Sequence, residues 1–129
     1  MRLLLLTLAV ALAACSQSET VALPTLPSPG AAAAWDADAS EHRGDDGLRV
    51  GYDCPPAPAT LPSVWGTDLY TDDSSVCAAG VHAGAITAAE GGRVTIEIRP
   101  GADGYAPSAR NGVGSREYGA WGGSFVVVR

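Results

Sequence analysis

The sequence predicts an α+β fold in which a single central helix is wrapped by short antiparallel β-strands. Residues 74–84 have the composition of a short, enclosed helix, and residues 93–99 alternate between apolar and polar side chains as a β-strand does. Turn-forming residues are frequent, with 16 Gly and 9 Pro in 129 residues, which argues against a helical bundle or a coiled coil. The length corresponds to one domain.

The chain is acidic. It has 8 Arg and Lys residues against 14 Asp and Glu residues, and its formal net charge is −6. Binding to the phosphates of a nucleic acid requires a basic face, so we expect no nucleic-acid partner.

Residues 1–14 are predicted to be a signal peptide. Arg2 supplies a positive charge, and the apolar run 3–12 is too short to span a bilayer as a helix, which needs about 20 residues. The following Leu12-Ala13-Ala14-Cys15 resembles the lipobox of bacterial lipoproteins. This resemblance implies cleavage before Cys15 and acyl chains, palmitate among them, that anchor Cys15 to a membrane. The alternative is an ordinary secretory signal followed by an unmodified Cys.

The cysteine count agrees with lipidation of Cys15. The chain has 3 Cys, and exported proteins rarely leave an odd thiol free. Lipidation removes one thiol and leaves two, Cys54 and Cys77. The expected location is the cell envelope. In a cell with two membranes, Ser16 resembles the residue that directs lipoproteins to the outer membrane, on its periplasmic or surface side.

Residues 15–47 are predicted to be a lipidated, disordered tether that holds the domain off the membrane. The segment is rich in Pro, Ala and acidic residues and has no helical or strand periodicity. Its apolar residues are too few to offset the entropy lost on ordering.

No metal or other cofactor is expected. Residues 36–47 begin like an EF-hand loop, but Glu41 stands where that loop requires Gly, and Gly47 stands where it requires Glu. The two downstream cysteines are too far apart for a redox pair, and with only 2 His in the chain they do not complete a zinc site.

The folded module is predicted to span residues 48–129, beginning with a β-prone run at 48–52. Residues 72–75 are N-cap types, and the small or apolar residues after them predict a helix of about ten residues ending at Gly84. Because this helix is apolar nearly all round, we expect it to be enclosed on most sides.

The second half of the module is predicted to be β-structure. Residues 85–88 are a strand candidate, 90–92 a hairpin turn, and the alternating strand 93–99 ends at Pro100-Gly101. A loop-rich stretch follows, and residues 124–128 form the closing strand.

These residues resemble the LCCL domain family over Cys54 to about Val128. The most specific feature is the helix, with Cys77, two small residues and His82-Ala83-Gly84 in fixed order. The corroborating segments are Cys54-Pro55, Val64-Trp65-Gly66-Thr67, Pro100-Gly101 and residues 110–115. The resemblance implies a central helix wrapped by strands and a disulfide between Cys54 and Cys77. The family usually has two disulfides, and Cys54 and Cys77 match the second of them. With Cys15 lipidated, no Cys stands upstream to form the other, which implies a shorter or looser N-terminal edge.

No catalytic residues are expected, so the chain is predicted not to be an enzyme. The alternative makes His82 a general base with Asp72 or Asp73. We expect instead a structural His82, buried in the helix and hydrogen-bonded to the backbone of a wrapping strand. Asp72 and Asp73 are interpreted as balancing the helix dipole.

The predicted function is therefore binding by an envelope-anchored, non-catalytic module. Aromatic and Arg side chains on loops stack on sugar rings and pair with phosphates, which selects Tyr105, Arg110, Arg116 and Tyr118 as the binding surface. The alternative is that Tyr118 and Trp121 pack over the sheet, and for Trp121 we favour packing over membership of this surface.

The family resemblance implies an association with lipopolysaccharide recognition and with extracellular-matrix or host-defence proteins. We therefore expect an envelope glycan, a lipid head group or lipopolysaccharide as the ligand. Any contact with anionic lipid must be local, because the chain is acidic. The alternative function is a structural lipoprotein that docks on another envelope protein.

Overall fold

The computed structural model describes residues 32–129 and contains one α-helix and seven β-strands in this range. The predicted signal peptide, the lipid attachment site Cys15 and the tether up to residue 31 lie outside the described residues. The elements are β1 (Arg49–Cys54), β2 (Gly66–Thr67), β3 (Leu69–Thr71), α1 (Val76–His82), β4 (Gly92–Ala102), β5 (Ala109–Arg110), β6 (Val113–Gly114) and β7 (Trp121–Val127), preceded by a 3₁₀ turn at Ser40–His42. The predicted α+β class is confirmed.

Five of the strands form one antiparallel sheet in the order β1-β4-β7-β3-β2, and β5 and β6 form a separate two-stranded ribbon. The central pair is β4 and β7, in which Ile96 lies opposite Val127 and Ile98 opposite Phe125. The predicted alternation of β4 is confirmed, because Val94, Ile96 and Ile98 are all buried on one face.

Strand β4 continues past Pro100, where the sequence predicted its end. The N–H of Ile98 donates to Leu48, on the β1 side of the strand, at 2.9 Å. The nitrogen of Pro100 faces the same side two residues later, beyond the residues that pair with β1. Because β1 presents no backbone carbonyl at this position, the missing N–H of Pro100 leaves no hydrogen bond unmade. Pro is therefore tolerated, and the strand continues to Ala102.

The helix is enclosed, as predicted. All seven of its residues are buried, and the Ser75 hydroxyl caps it by accepting a hydrogen bond from the Ala78 N–H at 3.1 Å. The helix is shorter than the predicted length of about ten residues because Ser75 caps it late and its last helical residue is His82. Gly80 allows the close approach to the sheet, since a Cβ there would lie 2.4 Å from Val94 Cγ2. None of the helices in residues 32–129 is long and apolar enough to cross a membrane.

The disulfide implied by the family resemblance is present. Cys54 at the end of β1 is bonded to Cys77 in α1, with their Cα atoms 5.8 Å apart. This bond ties the edge of the sheet to the helix packed on it.

Residues 32–47 are part of the domain, so the prediction of a disordered tether is wrong for this part of segment 15–47. Trp35 and Ala39 are buried in the core, and the indole N–H of Trp35 donates to the Pro55 carbonyl at 3.1 Å. The Ala39 N–H donates to the Asp72 carbonyl at 2.8 Å. One aromatic side chain and a few backbone hydrogen bonds are enough to order a segment that otherwise looks like a coil.

Two further boundaries differ from the predictions. Residues 85–88 are not a strand, because the Ala85 N–H donates back to Gly80 in the helix at 2.9 Å and the chain then turns, leaving only a single bridge between Thr87 and Gly91. The closing strand begins at Trp121 rather than at residue 124, because Trp121 pairs with Ala102 at the extended end of β4.

Candidate functional site

Tyr105 does not share an exposed surface with the other three predicted binding residues. Tyr105 is only 4% exposed, and its hydroxyl lies within hydrogen-bond distance of Ser124 Oγ and of the Ala102 N–H. The prediction of Tyr105 as a ligand contact is therefore wrong, because its ring fills the interior against β7. Its backbone pairs with that of Tyr118 in an isolated bridge, and the Tyr118 side chain is exposed.

The two predicted arginines have separate surroundings. Arg110 on β5 forms an ion pair with Asp68, with 2.8 Å between Nη1 and Oδ1, and both side chains are largely exposed. Arg116 donates its backbone N–H to the Val64 carbonyl at 2.8 Å. Its exposed side chain forms no ion pair with any described residue.

Tyr118 instead belongs to a cluster with Trp121 and Arg43, which we call the aromatic corner. The two rings are perpendicular, with an interplanar angle of 89° and centroids 5.4 Å apart. The Arg43 guanidinium carbon lies 5.1 Å from the centre of the Trp121 ring. Edge-to-face rings and a cation over an indole are both favourable arrangements. Of the two interpretations of Trp121, this geometry favours membership of an exposed cluster.

A buried carboxylate holds the aromatic corner in place. Asp72 is 1% exposed and accepts three hydrogen bonds, from Arg43 Nε at 2.7 Å, Arg43 Nη2 at 2.8 Å and the Trp121 indole N–H at 2.7 Å. The bidentate pairing with Arg43 is a strong form of ion pair. Gly123 gives the carboxylate room beneath β7, since a Cβ there would lie 2.0 Å from Asp72 Oδ2.

The surroundings of Asp72 keep it charged. Burial alone raises the pKa of its carboxyl, but the hydrogen bonds from Arg43 and Trp121 outweigh burial, and the pKa is lowered overall. The hydrogen bond to Asp72 in turn raises the pKa of the Arg43 guanidinium. The two groups therefore form a permanent ion pair at neutral pH that orients the Trp121 ring.

An open depression lies beside Trp121, between the end of β4 and the start of β7. Its volume is about 390 Å³, and it is lined by Gly101, Ala102, Asp103, Ala120, Trp121 and Gly122. Asp103 is exposed and has no side-chain hydrogen bond or ion pair within the described part of the chain. A carboxylate with no protein partner and an aromatic side chain therefore border the same space.

Arg43 and the contact it makes with Asp72 were not predicted from the sequence. Arg43 lies in the segment predicted to be a tether, and Asp72 was interpreted through the helix dipole or, in the catalytic alternative, as a partner of His82. The available signal was Trp35, because aromatic residues are scarce in disordered segments and one here indicates packing. Once residues 32–47 belong to the domain, Arg43 becomes a candidate partner for a nearby acidic residue.

The surroundings of His82 agree with the structural role expected for it. The side chain is completely buried, with Nδ1 2.9 Å from the Tyr70 hydroxyl and Nε2 3.2 Å from the Ser108 carbonyl oxygen. The carboxylate of Asp72, offered as its partner in a catalytic arrangement, faces Arg43 and Trp121 instead. Both ring nitrogens thus have protein partners, which join the helix to β3 through Tyr70 and to the loop before β5 through Ser108.

Residues 32–129 contain no group of three or more His, Cys, Asp or Glu side chains arranged to hold a metal ion. The chemistry available at the aromatic corner is therefore contact by ring faces, hydrogen bonding and charge.

A family model described as LCCL domain matches residues 33–125. The match begins one residue after the first described residue, and it includes Trp35, Arg43 and the aromatic corner. It thus covers part of the segment assigned to the tether.

Several curated proteins are similar to this chain. Human vitrin is 42% identical over 65 residues, which cover 50% of this chain and 9% of vitrin. Human cochlin is 37% identical over 67 residues, covering 52% of this chain and 12% of cochlin. The human cysteine-rich secretory protein LCCL domain-containing 2 is 39% identical over 66 residues, covering 51% of this chain and 13% of that protein. The chain thus spans about a tenth of the length of these relatives.

Proposed function

The chain belongs to the LCCL domain family, and from this premise we propose that it is a non-catalytic binding module that works outside the cytosol. Two observations support this location. The disulfide between Cys54 and Cys77 is stable in an oxidising compartment, and one similar human protein is described as secretory.

The proposal includes a lipid anchor at Cys15. The support is in the sequence: a positive residue, a short apolar run and Leu12-Ala13-Ala14-Cys15 in the order used by bacterial lipoproteins. After removal of residues 1–14, acyl chains on Cys15 hold the domain at the cell envelope. Several acyl chains bind a membrane far more firmly than one, since each buried methylene contributes about 0.8 kcal/mol.

The anchor is tested by expressing the chain in a bacterium with labelled palmitate. We expect the wild-type chain to carry the label and to sediment with membranes, and the Cys15→Ser variant to lose both properties. Cys54→Ser serves as the matched control, because it removes a different cysteine and keeps the lipobox. Equal labelling of wild type and Cys15→Ser would contradict the anchor.

The proposed ligands are glycans or lipid head groups, and the aromatic corner is the observation that carries this assignment. Tyr118 is 41% exposed, and its ring packs edge-to-face with the ring of Trp121. The indole N–H of Trp121 donates a hydrogen bond to the buried Asp72, which fixes the ring. Rigid aromatic side chains at the surface are frequent in binding sites because they offer large contact areas at low entropic cost.

The binding function is tested by affinity capture from an envelope extract with the full-length protein, followed by mass spectrometry of lipids, glycans and proteins. We expect a glycan or a glycolipid to be enriched, and we expect Tyr118→Ala to abolish the enrichment. Leu48→Ala is the matched control, because Leu48 is equally exposed at 42% and lies outside the aromatic corner. Capture of one protein partner with no glycan or lipid would instead favour the alternative function, docking on an envelope protein.

A further inference from the structure

The aromatic corner and the neighbouring depression present three kinds of group to one ligand. Tyr118 and Trp121 meet at 89°, so their rings form two walls at a right angle. Asp103 and the side-chain-free backbone of Gly101 and Gly122 border the depression next to Trp121. Its volume of about 390 Å³ lies within the range of small-molecule sites, about 300–1,000 Å³.

The Trp121 ring is held in one orientation before any ligand binds. Trp121 is paired through its backbone with Ala102, through its indole N–H with Asp72 and through its ring with Arg43. A side chain with a single fixed orientation loses little conformational entropy when a ligand binds. The favourable free energy of its contacts is therefore only slightly offset by ordering.

Arg43 adds a hydrogen-bond donor at the edge of the depression. Its Nε and Nη2 atoms are occupied by Asp72, and its side chain is still 43% exposed. The remaining nitrogen, Nη1, lies beside the depression, since a Cβ at Gly122 would be 3.7 Å from it. Nη1 forms no hydrogen bond with the described residues and can donate to a ligand.

The charge of this surface disfavours an anionic ligand. The positive charge of Arg43 is compensated by the buried Asp72, whereas Asp103 has no cationic partner in the described chain. Glu117, the neighbour of Tyr118 in sequence, is exposed and forms no ion pair within residues 32–129, but the adjacent Arg116 is an equally unpaired and exposed cation that offsets its charge. Asp103 is therefore the uncompensated charge beside the depression. A phosphate or a carboxylate placed here would meet net negative charge, and like charges at short range repel.

We infer that the aromatic corner binds a neutral saccharide ring, with its C–H face against Tyr118, its edge against Trp121, its hydroxyls donating to Asp103, and one of its oxygens accepting from Arg43 Nη1. A pyranose ring offers an apolar face together with hydroxyl groups that both donate and accept. The inference rests on the proposed binding function and narrows it to neutral glycans, in preference to anionic lipid head groups.

The test applies the full-length protein in detergent to three immobilised sets: neutral oligosaccharides of hexoses and N-acetylhexosamines, sialylated or sulfated oligosaccharides, and phosphatidylglycerol or lipid A coupled covalently to beads. We expect binding to members of the neutral set. Tyr118→Ala should raise the Kd for them about tenfold, because one ring contact is lost. Asp103→Asn should raise it about fivefold, because a charged acceptor is lost.

Two control variants separate the loss of a ligand contact from a general disturbance of the structure. Leu48→Ala removes an equally exposed apolar side chain elsewhere, and Glu90→Gln neutralises an exposed carboxylate in the turn before β4. Both should leave the Kd unchanged. Far-ultraviolet circular dichroism of all four variants shows that each keeps its fold.

The possible results separate failure of the neutral-saccharide inference from failure of the proposed binding function. Binding confined to the anionic sets, or binding to neutral sugars that Tyr118→Ala and Asp103→Asn leave unchanged, overturns the inference and leaves a glycan- or lipid-binding module in place. Absence of binding to all three sets overturns both.

Discussion

Asp72 is the residue on which the geometry of the aromatic corner depends. Its carboxylate receives three hydrogen bonds, two from a charged group, so Asp72→Asn weakens all of them at once. We expect this variant to lose about 2 kcal/mol of the free energy of unfolding, the usual magnitude for a hydrogen bond to a charged group. Urea unfolding at pH 7 measures the loss, and Asp73→Asn, the adjacent half-buried carboxyl, is the control.

The same residue makes stability depend on pH in a defined direction. Because folding lowers the pKa of Asp72 below its ordinary value of 3.8, the stabilisation is complete above that value and disappears as the pH falls through the folded-state pKa. As the pH falls below 3.8, the wild type should therefore lose more stability than Asp72→Asn. If the free energies of unfolding of the two proteins change in parallel with pH, the ion pair does not contribute to stability.

Tyr52 reports on the packing of residues 32–47 against the domain. Burial, together with the negative charges of Glu41 and Asp38, raises its pKa to about 12. Since folding favours the neutral phenol, the stabilisation is present below the ordinary pKa of 10 and is lost as the pH rises toward 12.

We therefore expect an absorbance titration of phenolate to show a component at about 12 that disappears in Tyr52→Phe. In Glu41→Gln this component should move to lower pH, because one nearby negative charge is gone. A titration that Glu41→Gln leaves unchanged would mean that residues 32–47 do not lie against β1 in solution.

At the scale of elements, the disulfide joins the edge of the sheet to the helix. Cys54 and Cys77 are 23 residues apart in sequence, and closing a loop of this length stabilises the folded state by about 3 kcal/mol in the chain-entropy account. The double variant Cys54→Ser/Cys77→Ser should lose about this amount in urea unfolding at pH 7.

A reductant provides the control for this measurement. It should lower the urea midpoint of the wild type to that of the double variant and leave the double variant unchanged. An unaltered midpoint for the wild type after complete reduction would contradict the stabilising role of the bond.

The elements that sequence could predict are those specified by neighbouring residues. The alternation of Val94, Ile96 and Ile98 identifies β4 because their burial on one face needs no knowledge of the partner strand. The small residues of α1 and its cap at Ser75 are local signals of the same kind. The order β1-β4-β7-β3-β2 was not accessible, since it depends on long-range pairing.

The binding surface was harder to predict because it depends on which way loop side chains face. Tyr105 and Tyr118 pair with each other through their backbones, but one ring is buried and the other is exposed. Composition cannot separate two such tyrosines. Arg43 was missed for a related reason, since its partner Asp72 is 29 residues away in sequence.

For the whole molecule, the folded unit begins before β1. Trp35 and Ala39 complete the core, and Arg43 completes the aromatic corner. A chain starting at residue 48 should be less stable than one starting at residue 32, by about 3 kcal/mol for the lost burial of Trp35 alone. Urea unfolding of the two chains measures the difference, and equal midpoints would restrict the domain to residues 48–129.

The central claim is that an exported LCCL domain binds its ligand at a rigid corner formed by Trp121 and Tyr118. The chain has 3 Trp, and their indole N–H groups give separate signals in a ¹H–¹⁵N spectrum. The most direct measurement is therefore a titration of the full-length protein with a neutral oligosaccharide, followed through these three signals. The Trp121 signal should shift on binding while those of Trp35 and Trp65 stay in place. A Trp121 signal that remains unchanged at saturating oligosaccharide would contradict the claim.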